Sequence, residues 1–356
     1  MIVLLSVFGV LLLLFIVTQL YFQGEDLSRY QHPRFEVMNK GARPSEEHAV
    51  AVASLLRIMN GQTKRHKQGN LHAMRERLDQ LGDAVEFDGE IITVDCQGIK
   101  GEWLVPANAD HRTRMLYIHG GAFFMCSAKS HRAITARYAK ITGGAVFSLD
   151  YRLLPEYRRQ ASIDDCRIAY QWILEQGPEG SCPLNTLYLS GDSAGGNLSL
   201  ALSLWIRDKG LRMPEAIVAL APLTDSTYSS PSLYANVTSD VMLAPLAGKF
   251  IKLPPILRVW FTVLQTRIRP SHYSISPVFA DLANLPPTLV HVSDSEMLLD
   301  DSVRYVNKAC LAGSPVSIQV WQGLIHVWHL FVDHVPEAQH AFTEIEQFLK
   351  QHAHRA

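Results

Sequence analysis

The sequence predicts an α/β protein, with a mostly parallel central sheet and helices packed on both faces. Three observations carry that reading. From about residue 115 onward, short apolar runs alternate with helical patterns, the rhythm of strand, crossover helix and strand. The segment Gly191-Asp192-Ser193-Ala194-Gly195 lies between one such run and one such helix. The chain has 356 residues, 47% hydrophobic and 19% charged, which is enough for one large core and unlike a disordered, collagen-like or disulfide-dense chain.

Taken in order, the first segment is the most hydrophobic. No charged side chain precedes Glu25, and 22 residues of helix would reach about 33 Å, with Tyr21 and Phe22 at interface depth. Residues 1–23 are therefore expected to form a single-pass membrane anchor. A cleaved signal sequence is the rival reading, but the run is long, has no early Lys or Arg and lacks a small-x-small cleavage site. The whole chain has a mean hydropathy of +0.03, and without this segment the remainder averages about −0.14, an ordinary value for a water-facing domain. Arg29, Arg34, Lys40 and Arg43 follow the run and nothing basic precedes it, which favours a cytoplasmic catalytic domain.

Residues 24–85 read as a polar linker followed by helices. The helical pattern over 45–81 carries Arg57, Lys64, Arg65, Lys67, Arg75 and Arg77, either as a solvated face or as a patch facing anionic headgroups. Residues 86–351 read as the main domain. Alternation from Glu90 to Pro106 predicts a hairpin turning near Gly98. Strands are expected at Met115–Ile118, Ala145–Leu149, Leu187–Leu189, Ile217–Leu220, Leu289–Val292 and Ser317–Trp321. Helices are expected near His131–Ile141, Ile163–Gln176, Gly195–Lys209, Asp300–Ala312 and Glu337–Gln351. Between Ala221 and Ser276 the rhythm breaks into an apolar, Ser- and Pro-rich stretch, so an inserted cap is expected near 226–275.

Charge and cysteines narrow the function classes. Thirty-three Lys and Arg balance thirty-four Asp and Glu, leaving no field to attract nucleic acid. Five cysteines, odd in number and without a CxxC pair, argue against a metal site or a disulfide framework.

The chemistry is carried by three places. A strand running through G-x-S-x-G into a helix projects the Ser193 hydroxyl above a sheet and aims helix amides, including that of Ala194, at an anion forming there. Upstream, the strand at Met115–Ile118 runs into His119-Gly120-Gly121-Ala122-Phe123-Phe124, where consecutive glycines let the backbone approach a tetrahedral oxyanion closely. Among fifteen histidines, His326 follows a strand in a glycine-bearing loop, whereas His340 lies on the last helix and His352 and His354 lie in a polar tail. Asp294, Glu296, Asp300 and Asp301 all follow the strand Leu289–Val292 and compete as the acid that would orient the base.

With these motifs in order, together with Asp150-Tyr151-Arg152-Leu153-Leu154-Pro155-Glu156 and Gly323-Leu324-Ile325-His326-Val327-Trp328, residues 80–350 resemble the bacterial hormone-sensitive-lipase family (family IV) of α/β-hydrolases, which are mostly carboxylesterases. The resemblance implies the α/β-hydrolase fold with a helical cap and a Ser193–His326–acid triad acting on an ester through an acyl-enzyme. It implies oxyanion amides from Gly120, Gly121, Ala122 and Ala194, and neither metal nor organic cofactor. The family's acid opens an acid-x-Leu-x-Asp segment about thirty residues before the base; Glu296-Met297-Leu298-Leu299-Asp300 fits, with Asp294 as runner-up. Asp300 and Asp301 would then cap the following helix. Two residues depart from the family pattern: Glu296 where Asp is usual, and Ala122 where a third glycine is usual. Asp150–Glu156 is expected to buttress the oxyanion loop, and Phe123, Phe124 and Trp328 to shape a pocket for short-to-medium acyl esters. An amidase or lactonase would use the same triad, and a catalytically silent ligand-binding protein would use the same scaffold.

Overall fold

The computed structural model describes residues 2–32, 36–60 and 71–353. Arg34, Lys64, Arg65, Lys67 and His354 lie outside the described residues. In chain order the elements are α1 (Ile2–Val17), β1 (Glu36–Met38), α2 (Glu46–Asn60), α3 (Leu71–Asp79), β2 (Gly89–Cys96), β3 (Ile99–Pro106), β4 (Asp110–Ile118), α4 (Arg132–Thr142), β5 (Gly144–Leu149), α5 (Arg159–Glu175), β6 (Gln176–Gly177), β7 (Gly180–Ser181), β8 (Thr186–Asp192), α6 (Ser193–Asp208), β9 (Ala216–Leu220), α7 (Ser232–Ala235), α8 (Ala244–Ile251), α9 (Pro255–Thr266), β10 (Thr288–Ser293), α10 (Leu299–Leu311), β11 (Val316–Trp321) and α11 (Pro336–His352).

Nine strands form one sheet in the order β1-β11-β10-β9-β8-β4-β5-β3-β2. Every pairing from β1 to β5 is parallel, while β3 runs antiparallel to both β5 and β2. Strands β5, β8, β9 and β10 are buried at every residue, which explains why they read as unbroken apolar runs: both faces are covered by helices. The hairpin turns on Gln97-Gly98, both at positive φ, the two-residue geometry that matches strand twist.

Alternation along β4 separates the two cores. Leu116 and Ile118 point into the cluster under α5, α6 and α10; Met115 and Tyr117 point into the opposite cluster with Tyr138 of α4 and Phe342 of α11.

Within 45–81 the described helices are α2 and α3. Two features departed from expectation. Strand β1 pairs with β11 although three residues are too few to show a period. The membrane expectation is not supported: among the described residues no helix is long and apolar enough to cross a membrane. Helix α1 has 16 residues, about 24 Å against a hydrocarbon core of about 30 Å. Beyond Val17 the chain widens into a π-helical turn, Thr18–Phe22, and docks on α9: Trp260 Nε1 donates to Thr18 Oγ1 at 2.9 Å and the Trp260 ring meets Phe22 edge-on at 5.1 Å.

The cluster around Phe342, a fully buried ring in edge contact with Tyr138, is dense enough to make truncation costly. Phe342→Ala is expected to lower the unfolding free energy by about 3–5 kcal/mol, read from urea denaturation.

Candidate active site

The site begins with a steric constraint. Strand β8 turns into α6 at Ser193, whose φ of 51° lies in the left-handed region. A side chain at Gly195 would bring its Cβ to 1.9 Å from the Ile118 carbonyl of β4, so the helix can approach the sheet only through glycine. Ser193 is thereby held at the carboxyl end of β8, in the first turn of α6, where helix amides lack intrahelical acceptors. Ala194 follows it in that turn.

Two loops from neighbouring strands converge on this hydroxyl. Ser193 Oγ lies 2.8 Å from His326 Nε2, and His326 Nδ1 makes a very short hydrogen bond to Glu296 Oε2. Because the carboxylate only accepts, the imidazole proton sits on Nδ1 and Nε2 is left to accept from Ser193. Glu296 is fully buried and its other oxygen accepts the Ser293 amide at 2.8 Å. Burial pushes the Glu296 carboxyl up from its ordinary value against the opposing pull of His326. Burial also disfavours the His326 imidazolium, but the Glu296 carboxylate outweighs it and the net displacement is upward.

The base loop is tied amide by amide. Gly323 N–H donates to Asp294 Oδ1 at 2.7 Å, Leu324 N–H to Ser293 Oγ at 2.9 Å, and Ile325 N–H to His48 Nε2 at 3.0 Å. Asp294, the runner-up acid, is exposed and spends its carboxylate on this loop, whereas Glu296 meets the imidazole. Val327 follows His326 with φ 52°, a strained conformation for a β-branched residue. His48 carries no motif, and its role was not legible in the sequence.

The glycine loop after β4 departs from expectation at one position. Gly120 N–H is committed to Asp192 Oδ1 at 2.8 Å, so it is not available to an oxyanion. Gly121, Ala122 and Phe123 all take positive φ, and Gly121 and Ala122 line the cavity at Ser193. Asp192 also accepts from Tyr117 Oη at 2.6 Å and from His131 Nε2 at 3.3 Å. Burial raises the Asp192 carboxyl, and His131 and Tyr117 more than reverse this, leaving it below its ordinary value. Burial and His131 together push His119 down to about 3, which keeps that ring neutral against Tyr151, at 4.4 Å. Tyr151 of the Asp150–Glu156 segment donates to the His119 carbonyl at 2.9 Å, and Asp150 accepts the Ala128 amide at 2.6 Å, so this segment does brace the loop.

The three expected pocket aromatics do not line this cavity. Trp328 is fully buried against Trp321 and His329, and Phe123 packs under the Arg159 guanidinium at 3.6 Å. Phe124 instead offers its carbonyl to Arg75 of α3 at 2.8 Å. The walls are aliphatic and come from the helices above the sheet: Leu55 and Met59 of α2, Leu78 of α3, Met242, Leu243 and Leu246 at α8. They enclose about 50 Å³ and include no Lys or Arg. Periodicity on α2 marked these residues as apolar, but an apolar helix face does not reveal whether it covers a core or a substrate.

Asp300 and Asp301 do not cap their own helix. They stand in the first turn of α10 and bond across to the segment after β9: Asp300 accepts the Ser232 amide at 2.7 Å, Asp301 the Thr224 and Asp225 amides at 2.7 and 2.9 Å. Burial and the neighbouring Asp225 raise Asp301 to about 7. Among the described residues no group of three or more His, Cys, Asp or Glu side chains is placed to hold a metal ion.

Comparison with known proteins agrees with this architecture. A family described as an alpha/beta hydrolase fold matches residues 115–330. An esterase of Acinetobacter venetianus is 35% identical over 78% of this chain and 88% of its own length. An acetyl-hydrolase of Streptomyces hygroscopicus is 33% identical over 74% of this chain and 82% of its own. A solved esterase of the bacterial hormone-sensitive lipase family superposes with a TM-score of 0.73 at 28% identity, covering 88% of this chain and 100% of that one.

The three donors converging on Asp192 make it sensitive to amide replacement. Asp192→Asn sets an NH2 group against at least one of them and is expected to cost about 1–3 kcal/mol, read as a fall in thermal midpoint.

Proposed function

This chain belongs to the bacterial hormone-sensitive-lipase family of α/β-hydrolases and is a carboxylic ester hydrolase, and we propose that it acts on neutral esters of short-to-medium acyl chains through Ser193, His326 and Glu296. The observation that supports this reading most is the buried chain of hydrogen bonds from Ser193 Oγ through His326 to Glu296.

In this mechanism Ser193 Oγ attacks the ester carbonyl while His326 Nε2 takes its proton, and Glu296 holds the imidazolium through Nδ1–H. The amides of Gly121, Ala122 and Ala194 receive the oxyanion, each such donor being worth about 10²–10³ in rate. His326 then protonates the leaving alkoxide, giving the free alcohol and an acyl-Ser193. A water attacks the acyl-enzyme, loses its proton to His326 and releases the carboxylic acid with Ser193 regenerated. Aliphatic walls without a cation favour uncharged acyl chains over acids or phosphates. We read the helices around 226–275, together with those within 24–85, as a cap over a catalytic domain spanning 86–351.

Several outcomes follow. A fluorophosphonate probe is expected to label the protein and to miss Ser193→Ala, whose kcat falls about 10⁶-fold; an intact protein that resists labelling overturns the mechanism. Glu296→Gln should lower kcat by about 10⁴-fold, while Asp294→Asn, which keeps an acceptor for Gly323, should stay within about threefold of the parent. Matched ester and amide substrates separate this reading from an amidase. The base must be neutral to act, and its titration lies above its ordinary value of 6.5. Activity is therefore expected to fall as pH drops through a midpoint above 6.5, and Glu296→Gln should move that midpoint down in a kcat/KM profile.

A further inference from the structure

Charge and hydropathy combine unusually in two segments distant in sequence. Residues 1–24 contain no charged side chain, and residues 241–280 contain five Lys or Arg and no Asp or Glu. The structure brings the two together. The π-helical turn after α1 packs on α9 through Trp260, and Arg269 lies over the Tyr21 ring at 5.2 Å.

Their outer surfaces are apolar and face water. On α1, Phe8, Leu12, Leu13, Phe15 and Ile16 are 42–66% exposed and spread over about 160° of its circumference. Leu20 and Tyr21 continue this surface at 83% and 56%. On α9, Leu257, Phe261 and Leu264 are half exposed or more, at the spacing of a single helix face, while Arg258, Val259, Thr262 and Thr266 are buried on the other. Lys249, Lys252, Arg267 and Arg269 are exposed beside this face.

The apolar surface leads to the pocket. Leu246 lines the cavity at Ser193 and is itself 38% exposed. Phe250 follows one turn later on α8, its ring 5.3 Å from Phe261 of α9. From there Trp260 meets Phe22, and Phe22 meets Tyr21. Apolar side chains of the π-helical turn, α9 and α8 thus lie between α1 and Leu246 at the cavity.

We propose that the joined face of α1, α8 and α9 docks on a lipid bilayer, and that lipophilic esters pass from the bilayer to Ser193 along Leu246. A bilayer fits better than a second copy of this chain. Apposed copies would bring the cationic rims of α8 and α9 against each other, whereas anionic headgroups complement them. Helix α1 is apolar around too much of its circumference for one protein partner, yet it is too short to span, so it suits immersion in one leaflet beside a cap face lying at the interface. The uptake route rests on the ester-hydrolase reading; the docking does not.

Flotation of the full chain with vesicles tests the docking. The protein is expected to rise with phosphatidylcholine vesicles and to bind more tightly when phosphatidylglycerol is included. The triple substitution Leu257→Ser, Phe261→Ser and Leu264→Ser should lower partitioning by roughly tenfold or more, with the thermal midpoint and the turnover of a water-soluble ester unchanged. Turnover of an ester embedded in the vesicles should fall in parallel. Ser193→Ala should float like the parent, which separates docking from catalysis. The proposal is overturned if the full chain remains unbound, if the triple variant floats as well as the parent, or if sedimentation shows a dimer that the triple substitution dissolves while vesicles are ignored.

Discussion

The close approach of α6 to β4, permitted by the missing side chain at Gly195, is the contact on which the site depends. It lets the strand-to-helix turn close tightly enough to strand Ser193 at positive φ, above the sheet and next to the first-turn amides. A Cβ at 195 would force the helix away from the Ile118 carbonyl and carry Ser193 with it. The loop leaving Ile118 supplies Gly121 and Ala122, so one contact sets both the nucleophile and the amides beside it. Positive φ at Ala122, Phe123, Ser193 and Val327 places much of the backbone strain around this point.

Holding strained loops in a buried place requires polar groups that would be costly if unpaired. Asp192 is buried beneath the turn and satisfied by Gly120, Tyr117 and His131. Glu296 is likewise buried and is satisfied by Ser293 and His326. The loop that carries His326 has three successive amides each matched to a different side chain, one of them from α2 above the sheet. The helices that roof the pocket are therefore joined to the base loop by a hydrogen bond as well as by apolar packing.

The same helices face two environments. Inward, α2, α3 and α8 give an aliphatic wall without a cation, suited to an acyl chain. Outward, α8 and α9 show leucine and phenylalanine to solvent beside lysine and arginine, next to α1. Residues that a water-soluble roof would bury or replace with polar groups are left exposed on the face proposed to meet the bilayer.

Much of this was legible in the residues. Near-continuous apolar runs at β5, β8, β9 and β10 announced strands covered on both faces, because parallel strands need no polar side. Glycines at 191 and 195 around Ser193 announced the turn, because the chemistry and the sterics both demand them. His326 was identifiable from its place in a glycine-bearing loop after a strand, while Glu296 was singled out among four carboxylates by the family resemblance. Other features arise only from contacts between segments far apart in the chain. The commitment of Gly120 to Asp192, the withdrawal of Trp328 into the core, the reach of His48 to the base loop and the use of Asp300 and Asp301 across to the β9 loop are of this kind. So is the fate of the first apolar segment, whose hydropathy predicted a span but whose last turn packs on α9 instead. Local pattern records what each residue prefers; which acceptor a given amide finds, and which face an apolar helix covers, is decided by the neighbours that tertiary packing brings within about 3–4 Å.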